Sequence, residues 1–211
     1  MAKIGFIVGE MFEDQELRVP YDKLSEAGHE VLLIGEREGA EIAGKKGKEK
    51  ITIECAVDDV DADDLDALVI PGGYSPDHLR TNDAMVDLVR EMDEEGKTIA
   101  AVCHAPSILI DADIVDGRRL TSWPSIKADL LNAGAEWVDE QVVEDGNLIT
   151  SRKPDDLDAF SAALLEALEG SETMPEEEGK KASTANDERE WSEDEDAVRG
   201  LVEAGMNVAR I

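Results

Sequence analysis

Aromatic side chains make up only 4% of this 211-residue chain, so its core must be built from Val, Ile, Leu and Ala, which dominate a hydrophobic content of 42%. That content suffices for a globular domain. Cysteine is scarcer, with Cys55 and Cys103 alone; the pair offers no disulfide framework and no zinc-ligand spacing. Any thiol chemistry must therefore rest on one residue. Bases are few, 21 Lys and Arg against 51 Asp and Glu, for a formal net charge of −30. Phosphate backbones and anionic membrane surfaces would repel such a chain, which sets nucleic acid and membrane aside as partners. No apolar run approaches the roughly 18 residues of a membrane helix. His29, His78 and His104 are too scattered to form a metal set, so no metal or cofactor is expected, and His29 and His78 are assigned surface or packing roles.

The length predicts one principal domain, at roughly 100 to 200 residues each, with a few dozen residues over. The acid is not confined to a tail: 12 acids and 5 bases lie in residues 171–211, which leaves the rest of the chain at about −23. Acid spread over a whole domain fits a protein kept soluble in concentrated salt, where ionic strength screens the self-repulsion. A halophilic source is the expectation. Met1 to Gly9 carries one Lys and a short apolar stretch running into Glu10 and Glu13; it reads as a buried strand rather than a signal peptide, which predicts a cytoplasmic protein.

Apolar runs at Ile4–Val8, Val31–Ile34, Ala67–Ile70 and Thr98–Val102 read as buried strands. Helical faces between them, Leu17, Pro20, Tyr21, Leu24 and Ala27 in the first crossover and Met85, Leu88, Val89 and Met92 in a later one, predict a layered α/β sheet with parallel pairing. Residues 39–54 read as a hairpin or irregular strand pair, and Ser125–Ala133 as a helix. Val138–Val143 and Asn147–Thr150 read as a hairpin turning at Asp145-Gly146. Pro154–Leu168 is expected as the closing helix of a domain spanning 1–169. Residues 170–211 are expected to be an acidic linker followed by a short amphipathic helix, with Ser192 and Glu195 as its capping box and Val198, Leu201, Val202 and Met206 on one face.

Cys103 lies where an apolar strand gives way to a helix start, the crevice in which open α/β sheets bind ligands. Unpaired N–H groups there favour a thiolate, and His104 next to it could act as base, although neighbouring side chains often diverge. A small buried Cys capping a strand is the plain alternative. Pro71-Gly72-Gly73 ends another strand, where glycine N–H groups could join that of His104 in an oxyanion hole or simply form a turn. Glu13 and Glu16 face the same crevice, or serve only the helix dipole.

Glu13-Asp14 and Glu16 before Pro20-Tyr21, Ala67 to Gly73, Ala101-Val102-Cys103-His104-Ala105-Pro106, Thr121 to Lys127, Asn132 to Asp139 and Ser151 to Leu157 together resemble the ThiJ/PfpI superfamily over residues 2–168. The nearest branch is the PfpI intracellular-protease-like proteins. This resemblance implies a flavodoxin-like three-layer sandwich with a mainly parallel central sheet and a nucleophile elbow, assembled as a dimer or hexamer-type homo-oligomer. It implies Cys103 as nucleophile, Glu16 as the carboxyl beside it and His104 as the proton carrier. It also implies an acid supplied by a neighbouring subunit, where this chain has Asp77 in place of the usual Glu. Ala105 replaces the usual Gly after the histidine. The implied activity is a cysteine-dependent hydrolase of stress protection, acting on peptide bonds or, as glyoxalase-type and deglycase-type relatives do, on small reactive carbonyls and their adducts. Gly72, Gly73 and His104 would hold the oxyanion through their N–H groups. The non-enzymatic rival is a redox sensor or holdase that uses an oxidisable Cys103.

Overall fold

The structure is a computed structural model and describes residues 1–171. The expected linker and terminal helix after Gly170 lie outside the described residues. Within 1–171 the chain alternates strands and helices: β1 (Lys3–Ile7), α1 (Asp14–Glu26), β2 (Glu30–Gly35), β3 (Glu41–Ala43), β4 (Lys50–Thr52), β5 (Cys55–Ala56), β6 (Ala67–Ile70), α2 (Ser75–Leu79) and α3 (Asp83–Glu94). Then come β7 (Thr98–Val102), α4 (Pro106–Asp111), β8 (Arg119–Leu120), α5 (Lys127–Asn132), β9 (Glu136–Trp137), β10 (Val142–Asp145), β11 (Leu148–Ser151) and α6 (Leu157–Ser171).

Seven strands form the central sheet in the order β10-β11-β7-β6-β1-β2-β5. Every pairing is parallel except that of β10 with β11. The continuous apolar runs have a plain cause. Alternate residues of one strand point to opposite faces, and both faces are covered. Ile4, Phe6, Val69, Ala100 and Val102 pack with Leu17 and Leu24 of α1 and Phe160 and Leu164 of α6. Ile7, Leu68, Ile70, Ile99 and Ala101 pack with Met85, Leu88 and Met92 of α3 and Ile108 of α4. Each fully buried large side chain contributes roughly 1.5 to 3 kcal/mol, so aliphatic number compensates for missing rings. The fold is the expected three-layer α/β sandwich. Among the described residues no helix is long and apolar enough to cross a membrane.

Three details depart from the sequence pattern. The short helix α2 follows Gly73 after one intervening residue, its N-cap Tyr74, with Pro76 in its first turn, where a missing N–H costs nothing. The terminal hairpin pairs Asp145 with Leu148, so its two-residue loop is Gly146-Asn147, with Gly146 at φ 61°. The strand expected from Val138 begins only at Val142. Asp139 and Glu140 leave the ladder and pair with Arg152 and Arg119, while Glu136 and Trp137 form a separate two-residue ladder with β8.

Candidate active site

The carboxyl ends of β1, β6 and β7 meet where the connections leave the sheet in opposite directions, a crevice suited to ligands. β7 ends at Val102, and Cys103 takes φ 65°, one of three non-glycine residues with positive φ among those described. That conformation costs of order 1 to 2 kcal/mol for an L-residue. It is held by a bond from the Cys103 N–H to Ser151 O at 3.0 Å and one from the Trp123 N–H to Cys103 O at 2.9 Å. The turn then enters α4, where Pro106 occupies the first position.

Glu16, on the inner face of α1, is fully buried. Its Oε2 accepts the Gly72 N–H at 2.9 Å. Its Oε1 has no partner in hydrogen-bond geometry; the carboxyl as a whole interacts with the Cys103 thiol. Burial foremost, helped by the charge of Glu13, pushes the Glu16 carboxyl up to about 8, so it holds its proton near neutrality. Burial also pushes the Cys103 thiol up, and the Glu16 charge adds to this. That second contribution disappears when Glu16 carries its proton. The N–H groups of Gly73 and His104 pull the thiol the other way.

The glycine pair is a steric requirement. A Cβ on Gly72 would lie 2.7 Å from Glu16 Oε2 and 2.8 Å from Cys103 Cβ, and Gly73 has φ 81° with backbone atoms 2.5 to 2.7 Å from a Cβ. The Gly72 N–H, expected among the oxyanion donors, is instead held by Glu16. The donors aimed at the sulfur are those of Gly73 and His104.

His104 Nδ1 lies 3.3 Å from Cys103 Sγ, and Nε2 lies 3.0 Å from Ser125 Oγ. Burial foremost, then the Lys45 cation, holds the imidazole below its ordinary pKa, while the charge of Asp77 opposes them. A neutral ring can accept a proton. Asp77 is exposed in the first turn of α2; it reaches His104 through its field, and within this chain the ring's hydrogen-bond partners are Cys103 at Nδ1 and Ser125 at Nε2. Ser125 was not singled out by sequence reasoning, although it sits in the Trp123-Pro124-Ser125 stretch that carried part of the resemblance. Lys45 was missed as well. It pairs at 2.7 Å with Glu13, itself buried, and the only sequence signal was a run of lysines in an acidic chain.

The remaining candidates lie elsewhere. His29 Nδ1 accepts the Ala2 N–H at 3.1 Å, a packing role. Cys55 sits half-buried on edge strand β5, where burial raises its pKa. His78 lines a groove of about 780 Å³ with Glu10, Arg37 and Asn82, a groove that neither Cys103 nor His104 lines. Among the described residues no group of three or more His, Cys, Asp or Glu could hold a metal ion. The site is thus a buried thiol between a protonated carboxyl and a neutral imidazole, with two N–H groups converging on the sulfur. Such an arrangement can make a thiolate, add it to a carbonyl and move the protons.

The sequence model of the DJ-1/PfpI family matches residues 2–167. The chain is 44% identical over 167 residues to protein/nucleic acid deglycase 2 of Escherichia coli, a match covering 79% of this chain and 97% of that protein. It is 43% identical over 166 residues to deglycase PfpI of Pyrococcus furiosus, covering 79% and 99%. Among solved structures, DJ-1beta of Drosophila melanogaster superposes with a TM-score of 0.75 at 32% identity, covering 81% of this chain and 92% of that one.

Proposed function

Because the chain belongs to the DJ-1/PfpI family, we propose that it is a cysteine-dependent hydrolase of the deglycase type, acting on adducts that small reactive carbonyls form with amines. The observation that carries this reading is the elbow itself: Cys103 at φ 65°, with His104 Nδ1 at 3.3 Å and the protonated Glu16 carboxyl on its other side.

In this reading His104 Nδ1 takes the thiol proton and Glu16 donates a hydrogen bond to the resulting thiolate. The sulfur attacks the former aldehyde carbon of the adduct, the C–N bond breaks, and the amine leaves with a proton supplied by the imidazolium. For an α-oxoaldehyde adduct, His104 then carries a proton from that carbon to the neighbouring keto carbon. This converts the hemithioacetal into an isomeric thioester with no external oxidant. Water hydrolyses the thioester to a hydroxy acid and restores the thiol. Oxyanions formed along the way would be met by the Gly73 and His104 N–H groups. Ser125 holds the far nitrogen of the ring and so fixes its tautomer and aim.

Peptide hydrolysis uses the same acyl-transfer machinery and is the second reading. Cys103 is only 5% exposed, which suits a small carbonyl better than an extended chain. A sensor would need the reactive thiol but not a base oriented by a serine, so the His104–Ser125 pair favours turnover. The net charge favours small adducts over polymeric nucleic acid. The proposal extends to a homo-oligomer in which Asp77 of one subunit approaches His104 of another, and to a cytoplasmic protein adapted to concentrated salt.

The test is one preparation assayed for release of free amine and hydroxy acid from methylglyoxal-treated amino acids, and for cleavage of an unfolded peptide. Adduct hydrolysis that vanishes in Cys103→Ala supports the proposal. Peptide cleavage without adduct hydrolysis would replace it with the peptidase reading, and neither activity in an intact fold would leave the sensor.

A further inference from the structure

Residues 44–50 hold Lys45, Lys46, Lys48 and Lys50 in a chain whose net charge is −30. This basic segment, the loop between β3 and β4 with the first residue of β4, is latched onto the crevice. The buried carboxylate of Asp14 accepts the N–H groups of Lys46, Lys48 and Glu49 at 3.0, 2.9 and 2.9 Å. A Cβ on Gly44 would meet Asp14 at 2.5 Å, so the approach is as close as backbone permits. The Lys45 N–H donates to Phe12 O at 2.8 Å, and the Met11 N–H to Ala43 O at 2.9 Å. The loop is thereby tied to the connection that leads from β1 into α1.

Two ammonium groups of this loop then converge on one acid. Lys45 Nζ lies 2.7 Å from Glu13 Oε2 and Lys46 Nζ lies 2.5 Å from Oε1. The Glu13 N–H in turn donates to Gly72 O at 3.1 Å, and the Gly72 N–H to Glu16 at 2.9 Å. Two cations on one carboxylate leave a surplus positive charge, tied through Glu13 to Gly72, where a Cβ would lie 2.8 Å from Cys103 Cβ. We propose that Lys45 is a positioning residue of the reaction: held by the Asp14-latched loop, its ammonium is the fixed cation that stabilises the Cys103 thiolate. This rests on Cys103 being the nucleophile, as proposed above.

The field of Lys45 reaches Cys103 and Glu16 and discourages protonation of His104. The charged and titratable groups around the sulfur are Glu13 and Glu16 from α1 and its entry, Lys45 and Lys46 from the loop, Asp77 from α2 and His104 from the elbow. Near neutrality Glu16 is protonated, and Lys45 opposes the charges of Glu13 and Asp77. Glu13 keeps Lys46 when Lys45 is removed, so truncation at position 45 does not strand a buried carboxylate.

The experiment follows iodoacetamide alkylation of Cys103 against pH in a Cys55→Ser background, with circular dichroism as the check on folding. Lys45→Met should move the profile up by about one pH unit, an about tenfold slower reaction at neutral pH. Lys45→Arg should restore most of the rate, and Lys46→Met should move the profile much less. An unchanged profile in folded Lys45→Met overturns the proposal. So does an equal shift in Lys46→Met, which would assign the effect to the uncovered charge of Glu13. Should the parent itself react like a free thiol, the nucleophile reading falls and takes this one with it. A reactive parent with an insensitive Lys45→Met removes the role of Lys45 alone.

Discussion

Glu16→Gln is the most direct probe of the site's electrostatics, because it removes the ionisable carboxyl and keeps an amide oxygen that can accept the Gly72 N–H. In the fold the carboxyl titrates near 8 against an ordinary 4.5, burial being the main cause. An acid whose folded pKa is raised binds its proton more tightly in the native state. Its stabilising contribution is therefore complete below pH 4.5 and is lost as pH rises through 8. Between these limits the native state holds one more proton than the unfolded chain, and stability should fall by roughly 1.4 kcal/mol per pH unit, about 5 kcal/mol over the window. Gln carries no such dependence. Urea unfolding of both proteins from pH 4 to 9, at one fixed salt concentration, isolates the effect as a difference. The variant should gain on the parent steadily through the window and then level off. A difference constant from pH 4.5 to 8 would refute the buried, protonated carboxyl, and with it the hydrogen bond to the thiolate assigned to Glu16.

Cys103→Ala and Cys103→Ser should abolish adduct hydrolysis while Cys55→Ser keeps it; equal losses at both cysteines would remove the assignment. Ser125→Ala should leave the unfolding temperature within about 1 °C, as an exposed substitution does, yet reduce turnover about tenfold by releasing the imidazole, and unchanged turnover would make the 3.0 Å contact incidental. If Asp77 acts across a subunit boundary, mixing inactive Cys103→Ala with inactive Asp77→Ala should restore part of the activity, and no recovery in verified mixed oligomers speaks against it. Added KCl should raise the unfolding temperature from dilute to molar salt by screening the acidic surface; a flat or falling series would sink the halophilic reading.

The layered sheet was legible because burial on both faces leaves an unambiguous mark: Ile4–Val8, Ala67–Ile70 and Thr98–Val102 are apolar without alternation, which half-exposed strands cannot be. What escaped was decided by tertiary contact. A short strand is legible in the sequence at Leu120–Ser122, and the structure places it at Arg119–Leu120; its two-residue partner β9 has no periodicity to read, and Asp139 and Glu140 break a run of apparent strand by reaching for arginines distant in sequence. The turn at Gly146-Asn147 shows how an Asp-Gly pair can mislead by one residue. Asp145 still belongs to the ladder, paired with Leu148, and its carboxylate accepts the Arg119 N–H at 2.7 Å.

The site was legible where chemistry and backbone coincide. A cysteine at the end of a buried strand, a histidine after it and a glycine pair on the next strand each carry a local reason to be there, and the family resemblance joined them. Partners that act through space left no such trace. The Gly72 N–H was expected to face a substrate, yet Glu16, buried below it with an orphan oxygen, takes it first; only the fold reveals that competition. Ser125 reaches His104 across 21 positions of chain, and Lys45 reaches the crevice because Asp14 folds a glycine-containing loop over it. Both contacts depend on where a loop lands, which one sequence does not encode in any local pattern. The candidate nucleophile can therefore be named from its own neighbourhood, whereas the groups that set its proton affinity are found only by asking which charges the fold brings within reach of the sulfur.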